Sequence, residues 1–198
     1  MKLYWCAQTR ASRMVWMLEE AGVAYDLVTI DIRNPDAPRP PEFLAASPMG
    51  KVPALSDGNV HMAESAAMCL YIADRYAPGR LAPAIDSDER ADFLQWLFFT
   101  PAVIEPAMSE KATGAEPRRA TSGWGSFDAM IDAWTARMTS REWVLDSGFS
   151  AADVMLGGSA AFLKMFGMLP DSATVLSDYA DRSLARPGYA RALAMESA

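Results

Sequence analysis

Apolar and polar positions change period several times along the first eighty residues, and each change marks an element. Lys2–Cys6 reads as a short strand. From Arg10 to Glu20 the apolar residues recur at helical spacing, and Gly22 follows where a helix needs a left-handed residue after its cap. Tyr25–Ile32 is the next strand, with Val28, Ile30 and Ile32 on one face and Thr29 and Asp31 on the other. Strand, helix, strand at this spacing predicts a βαβ unit and a parallel pair. Pro41-Glu42-Phe43-Leu44 starts a short helix ended by Ser47-Pro48. Pro53-Ala54-Leu55 and Val60-His61-Met62 flank Ser56-Asp57-Gly58-Asn59, a hairpin in which Asp-Gly supplies positive φ angles. Ser65 then caps a helix running to about Tyr76. The order βαβ then ββα predicts a mixed four-stranded sheet with helices on its faces.

The remainder reads as all helix. Asp86 and Glu89 form a capping pair for a helix carrying Phe93, Trp96, Leu97 and Thr100, broken or kinked by Pro101 and Pro106. Phe127, Ile131, Trp134 and Met138 recur at helical spacing on one face. Ser150-Ala151-Ala152-Asp153 is a capping box with Asp in place of Glu, read as a helix start and nothing more. A last helix opens at Pro187.

Composition and charge divide the chain in the same way. Residues 1–80 hold 8 Lys/Arg against 9 Asp/Glu, and residues 81–198 hold 10 against 16, which puts a boundary near the linker at about 77–87. The expected domains are residues 1–78, an α/β thioredoxin-like domain, and residues 87–198, all helical. With 51% apolar residues in 198, a sizeable core is within reach. A net charge of −7 disfavours nucleic acid and anionic membrane as partners. No apolar run spans a bilayer and the N-terminus lacks the apolar stretch of a signal peptide, so a cytoplasmic location is expected. Cys6 and Cys69 form no C-x-x-C pair and meet no His cluster; two free thiols and no metal are expected.

Four segments carry a resemblance. TRASRMVWMLEEAGVAYDL, SPMGKVPAL, AESAAMCLYIADRY and GFSAADVMLG stand in the order and spacing of cytosolic glutathione transferases, and the chain resembles a bacterial member of that family over nearly its whole length. The specific part is KVPAL followed nine residues later by Glu64-Ser65. The resemblance implies a cis bond before Pro53 and pairing of the Val52 backbone with the cysteinyl backbone of glutathione. That pairing is sound physically, since a peptide can bind such an open backbone like an added strand. At Glu64-Ser65 a helix begins, where N–H groups and the positive dipole end suit the γ-glutamyl carboxylate and the Glu64 carboxylate suits the ammonium group. Lys51 would reach the glycine carboxylate, and Arg10 would either hold a ligand carboxylate or face solvent.

Activating the thiol is a modest demand. A thiol pKa near 8.5 falls by two for roughly 2.7 kcal/mol, and a hydroxyl hydrogen bond to an anion supplies about 1.5–3 kcal/mol. Aligning TRASR with the S-x-P-C-R-like segment of serine-type members puts Thr9 at the serine position; the competing reading is that Thr9 merely caps the helix. Tyr4 matches the tyrosine of tyrosine-type members in an ungapped alignment of the first strand, and Ser12 is the hydroxyl if the turn is one step longer. Cysteine-type members carry their cysteine where Arg10 stands, so Cys6 reads as a small buried strand residue. His61 has no evident Ser or Cys pairing and reads as structural. Trp96, Phe99, Val103 and Met108 are candidates for an electrophile pocket against the first helix of the helical half, in competition with a core role.

The activity expected from the resemblance is conjugation of glutathione, as co-substrate, to a small hydrophobic electrophile by a homodimeric detoxification enzyme. A glutathione-dependent isomerase, dehalogenase or disulfide reductase is the alternative chemistry, and a non-catalytic adaptor or regulator the alternative class.

Overall fold

The computed structural model describes residues 1–118 and 120–196. Contacts divide the chain into two units, Met1–Ala77 together with the segment from Arg186, and Pro78–Ala185.

In the first unit β1 (Lys2–Trp5), β2 (Asp26–Thr29), β3 (Ala54–Asp57) and β4 (Val60–Ala63) form one sheet in the order β2-β1-β3-β4. β1 and β2 are parallel; the other pairs are antiparallel. This is the expected thioredoxin-like mixed sheet. The second strand is shorter than its alternation predicts. The Asp31 carboxylate accepts from the N–H groups of Arg33 and Asn34 and turns the chain. Ile30 and Ile32 nevertheless pack on the expected face, around Tyr4, Phe43 and Ala54.

Helix α1 (Ala11–Ala21) buries Met14, Val15, Trp16, Met17 and Leu18 and ends at Gly22, whose φ of 69° is the left-handed cap its sequence predicts. Short α2 (Pro41–Ala46) covers the Tyr4 face through Phe43, with ring centroids 5.6 Å apart. Helix α3 runs Ser65–Tyr76.

The second unit holds α4 (Glu89–Phe99), a π turn (Thr100–Ile104), α5 (Glu105–Thr113), α6 (Phe127–Met138), α7 (Ala151–Met165) and α8 (Thr174–Leu184). The expected Asp86–Glu89 cap gives way to Ser87, whose Oγ accepts from the Glu89 N–H. Pro101 and Pro106 interrupt the regular α-helix, as expected, which stops at Phe99 and resumes at Glu105. The chain winds one wider turn between them, which accommodates two residues lacking an N–H. Helix α8 is not predicted by the sequence reading, though Leu176, Tyr179, Ala180 and Ser183 line its buried face at helical spacing.

The Ser150–Asp153 box does more than start a helix. Ser150 Oγ accepts from the Ala152 N–H at 3.2 Å, and the Asp153 carboxylate accepts from the Ser150 N–H and Oγ. Its other oxygen accepts from the Val144 N–H at 2.9 Å and the Tyr179 hydroxyl at 2.8 Å. Asp153 is fully buried, and burial pushes its carboxyl pKa up against these four donors. One side chain thus ties together a loop, the start of α7 and α8.

The last helix, α9 (Pro187–Glu196), packs on α1. The sequence reading put this segment in the helical domain, because its apolar periodicity says that one face is buried and not against what. Its partners are the acidic pair that ends α1. Arg186 forms a bidentate pair with Glu20 at 2.8 Å, and Arg191 pairs with Glu19 at 2.7 Å.

Candidate functional site

Register gathers Cys6, Val52-Pro53 and Glu64-Ser65 at one end of the sheet and leaves His61, opposite Ser56, toward the other. Tyr4 pairs with Val28 and Ala54, and Ala54 pairs with Ala63. The residues just beyond these pairs, Cys6 at the end of β1, Val52-Pro53 before β3 and Glu64-Ser65 after β4, therefore share one end of the sheet. Residues that follow β2, up to Arg33, reach the same end.

The segment leading into β3 is held by a residue the sequence reading passed over. Buried Ser47 donates its hydroxyl to the Lys51 carbonyl at 2.8 Å and accepts from the Lys51 N–H at 2.9 Å, closing residues 47–51 into a loop with an exposed Lys51 side chain. The Val52–Pro53 peptide that follows is cis, as the resemblance implies.

At the start of α3, Glu64 adopts φ 72° and ψ 109°, an uncommon backbone for a residue with a β-carbon. Such conformations cost of the order of 1–3 kcal/mol and cluster at functional sites. Glu64 makes no side-chain cap, while its carbonyl accepts from the Met68 N–H at 2.9 Å and so starts the helix. The result is an exposed carboxylate beside a helix N-terminus, an arrangement able to take a zwitterionic α-amino acid group: carboxylate to the N–H groups, ammonium to Glu64.

The turn between β1 and α1 is densely bonded. Thr9 donates its hydroxyl to the Cys6 carbonyl at 2.7 Å and accepts from the Ala11 N–H at 3.1 Å. Its only proton is thus used inside the turn, which is the capping geometry weighed against the catalytic one. Gln8 beside it has φ 58°, the left-handed region. From beyond β2, Arg33 lays its guanidinium across the turn, with Nη1 donating to Cys6 Sγ and Nη2 to the Ala7 carbonyl, both at 2.9 Å.

The other hydroxyl candidates differ sharply. Tyr4 is 1% exposed, sits in the apolar cluster under α2, and its hydroxyl meets Ser56 Oγ at 3.4 Å. Ser12, in the first turn of α1, has a buried Oγ with no hydrogen-bond partner among the described residues. Arg10 is exposed at the head of α1. Cys6 is the buried strand-end residue expected, and both cysteines are free thiols. His61 does have a serine partner: its Nδ1 lies 2.9 Å from Ser56 Oγ. The two residues face each other across the hairpin, a pairing that only the strand register reveals.

In the helical unit Trp96 is core, 6% exposed, with the tilted ring of Phe99 4.7 Å away, and lies under Arg137. Phe99 at the end of α4, Val103 in the π turn and Met108 in α5 are half-buried. Among the described residues no three His, Cys, Asp or Glu side chains are grouped to hold a metal ion, and no helix is long and apolar enough to cross a membrane.

Comparison with known proteins gives this geometry a family. Residues 9–75 match the family described as glutathione S-transferase, N-terminal domain. The chain is 31% identical over 170 residues to a probable glutathione S-transferase of Oryza sativa subsp. japonica, covering 78% of this chain and 76% of that one. Two solved structures superpose with a TM-score of 0.80 at 26% identity. One is a bacterial beta class glutathione S-transferase of Sphingomonas chungbukensis, covering 99% of this chain and 98% of that one. The other is a sphingomonad glutathione S-transferase complexed with glutathione, covering 100% and 99%. With its sheet, its cis-proline loop and its sequence all in agreement, the chain belongs to the glutathione S-transferase family.

Proposed function

We propose that this protein binds glutathione at the shared end of the sheet and transfers it, as the thiolate, to a small apolar electrophile. The observation that carries this reading is the convergence of the Val52-Pro53 backbone, the Glu64 carboxylate and the start of α3 at one end of the sheet. In this reading Val52 pairs with the cysteinyl backbone, and Glu64 and Ser65 hold the γ-glutamyl group. Lys51 takes the glycine carboxylate with Arg10 as a second cation, and Phe99, Val103 and Met108 supply apolar surface for the electrophile. Holding two reactants in place accounts for much of such a rate, since attack by a thiolate needs no further base.

For activation of the sulfur, the candidate hydroxyls are Thr9, which must release the Cys6 carbonyl to donate outward, and Ser12, whose Oγ has no partner among the described residues. Tyr4 is disfavoured by its burial under α2. A cytoplasmic homodimer is part of the same proposal, on the family resemblance.

Retention on immobilised glutathione and conjugation to a chloronitrobenzene are the expected results. Loss of both in the intact protein overturns the reading. Thr9→Val, Ser12→Ala and Tyr4→Phe then assign the hydroxyl: the variant that raises the pKa of bound glutathione while keeping its affinity has removed the thiolate's donor.

A further inference from the structure

We propose that Arg33 is a positioning residue for thiol activation, acting by clamping the β1–α1 turn. The inference rests on the glutathione reading above and adds to it a side chain from a different segment. Arg33 bonds two consecutive residues of the turn at once, Cys6 through its Sγ and Ala7 through its carbonyl, each at 2.9 Å. A planar guanidinium can span two acceptors in a fixed geometry, which a lysine ammonium cannot.

The residue that follows this clamp is Gln8 in the left-handed region, and next comes Thr9, bonded back to the carbonyl of Cys6. Cys6 is therefore gripped from both sides, by Arg33 at sulfur and by Thr9 at oxygen. Arg33 is itself set by its own segment, since Asp31 accepts from the Arg33 N–H at 3.1 Å and turns the chain after β2. The path runs from the Asp31 turn through the Arg33 fork to the backbone that fixes where the Thr9 and Ser12 hydroxyls stand. Thiolate stabilisation by a hydroxyl depends on donor position to a fraction of an ångström, so loosening this turn should impair ionisation of the sulfur more than binding of the peptide, which is held at Val52 and Glu64.

The test compares Arg33→Met and Arg33→Lys with the wild type in glutathione affinity by calorimetry, in the pH profile of thiolate absorbance of bound glutathione, and in kcat and KM for a chloronitrobenzene. Hydrogen exchange of the Gln8–Ala11 amides checks the clamp directly, and a thermal melt checks folding. Expected for Arg33→Met are a kcat lower by about tenfold, an upward shift of the thiol profile, glutathione affinity within about threefold, and faster exchange in the turn. Arg33→Lys should restore little of this. Cys6→Ala, which removes one of the two acceptors, should fall between. Unchanged variants, affinity lost in step with kcat, or full rescue by lysine overturn the positioning role. A wild-type protein that neither binds glutathione nor ionises its thiol overturns the underlying reading as well, and is told apart by that control.

Discussion

Gly188 at the start of α9 lies so close to Glu20 at the end of α1 that a β-carbon there would stand 2.6 Å from Glu20 Oε1. That oxygen also accepts from Trp16 Nε1 at 2.9 Å and from Arg186 Nε at 2.8 Å, and the guanidinium's Nη2 donates to Oε2. The absence of a side chain at residue 188 is what lets α9 sit down on this carboxylate. Gly188→Ala should push the carboxylate off both partners and destabilise the protein by about 1–3 kcal/mol, seen as a lower midpoint in urea melts.

The same carboxylate gives docking of α9 an acid limit. Burial raises the Glu20 pKa, but hydrogen bonds from Arg186 and Trp16 and the charges of Arg186 and Arg191 outweigh it and hold the group below its ordinary value of 4.5. With the folded pKa depressed, the contribution is present above the ordinary glutamate value and lost as pH falls through the folded one. Melts of the wild type and Glu20→Gln should therefore differ at neutral pH and converge in acid. A constant gap across that range would contradict the ion-pair account.

Removing Asp153 should destabilise the helical unit strongly. Asp153→Ala leaves the N–H groups of Val144 and Ser150 and the Tyr179 hydroxyl without their acceptor at a fully buried position. A loss of about 3 kcal/mol or more is expected in chemical denaturation, with Asp153→Asn recovering part of it.

Ser47→Ala probes the loop that presents Lys51 and Val52. Both groups that Ser47 bonds belong to the Lys51 backbone, so the variant should stay folded, lose about 1–2 kcal/mol, and bind glutathione roughly tenfold more weakly in calorimetry. Unchanged affinity would separate this loop from ligand binding.

Burial pushes the Cys69 thiol up to about 12. An alkylating agent at neutral pH should leave Cys69 unmodified in the folded protein and label it only after unfolding, as peptide mass spectrometry would show.

Thr9 illustrates how far sequence could go. Its place between the first strand and the first helix was legible, and so were its two competing roles, because local order alone sets where a helix can start. Which role its proton serves depends on the Cys6 carbonyl, whose direction is set by the twist of the turn. Tyr4 is similar: its strand was legible, but the choice of sheet face, and with it burial beneath Phe43, follows from packing. His61 and Ser56 were both visible in the hairpin, yet their contact needed the strand register.

By itself the sequence determined the mixed sheet and most of the helices, since these rest on periodicity, and in KVPAL with Glu64-Ser65 it carried the resemblance that points to the family. The tertiary structure alone decided that α9 returns to α1, that Arg33 grips Cys6, and that the Thr9 proton is spent within its own turn. The physical reason is separation in sequence. Arg33 meets Cys6 across 27 residues and Arg186 meets Glu20 across 166, and no local pattern records which distant donor will find a given acceptor.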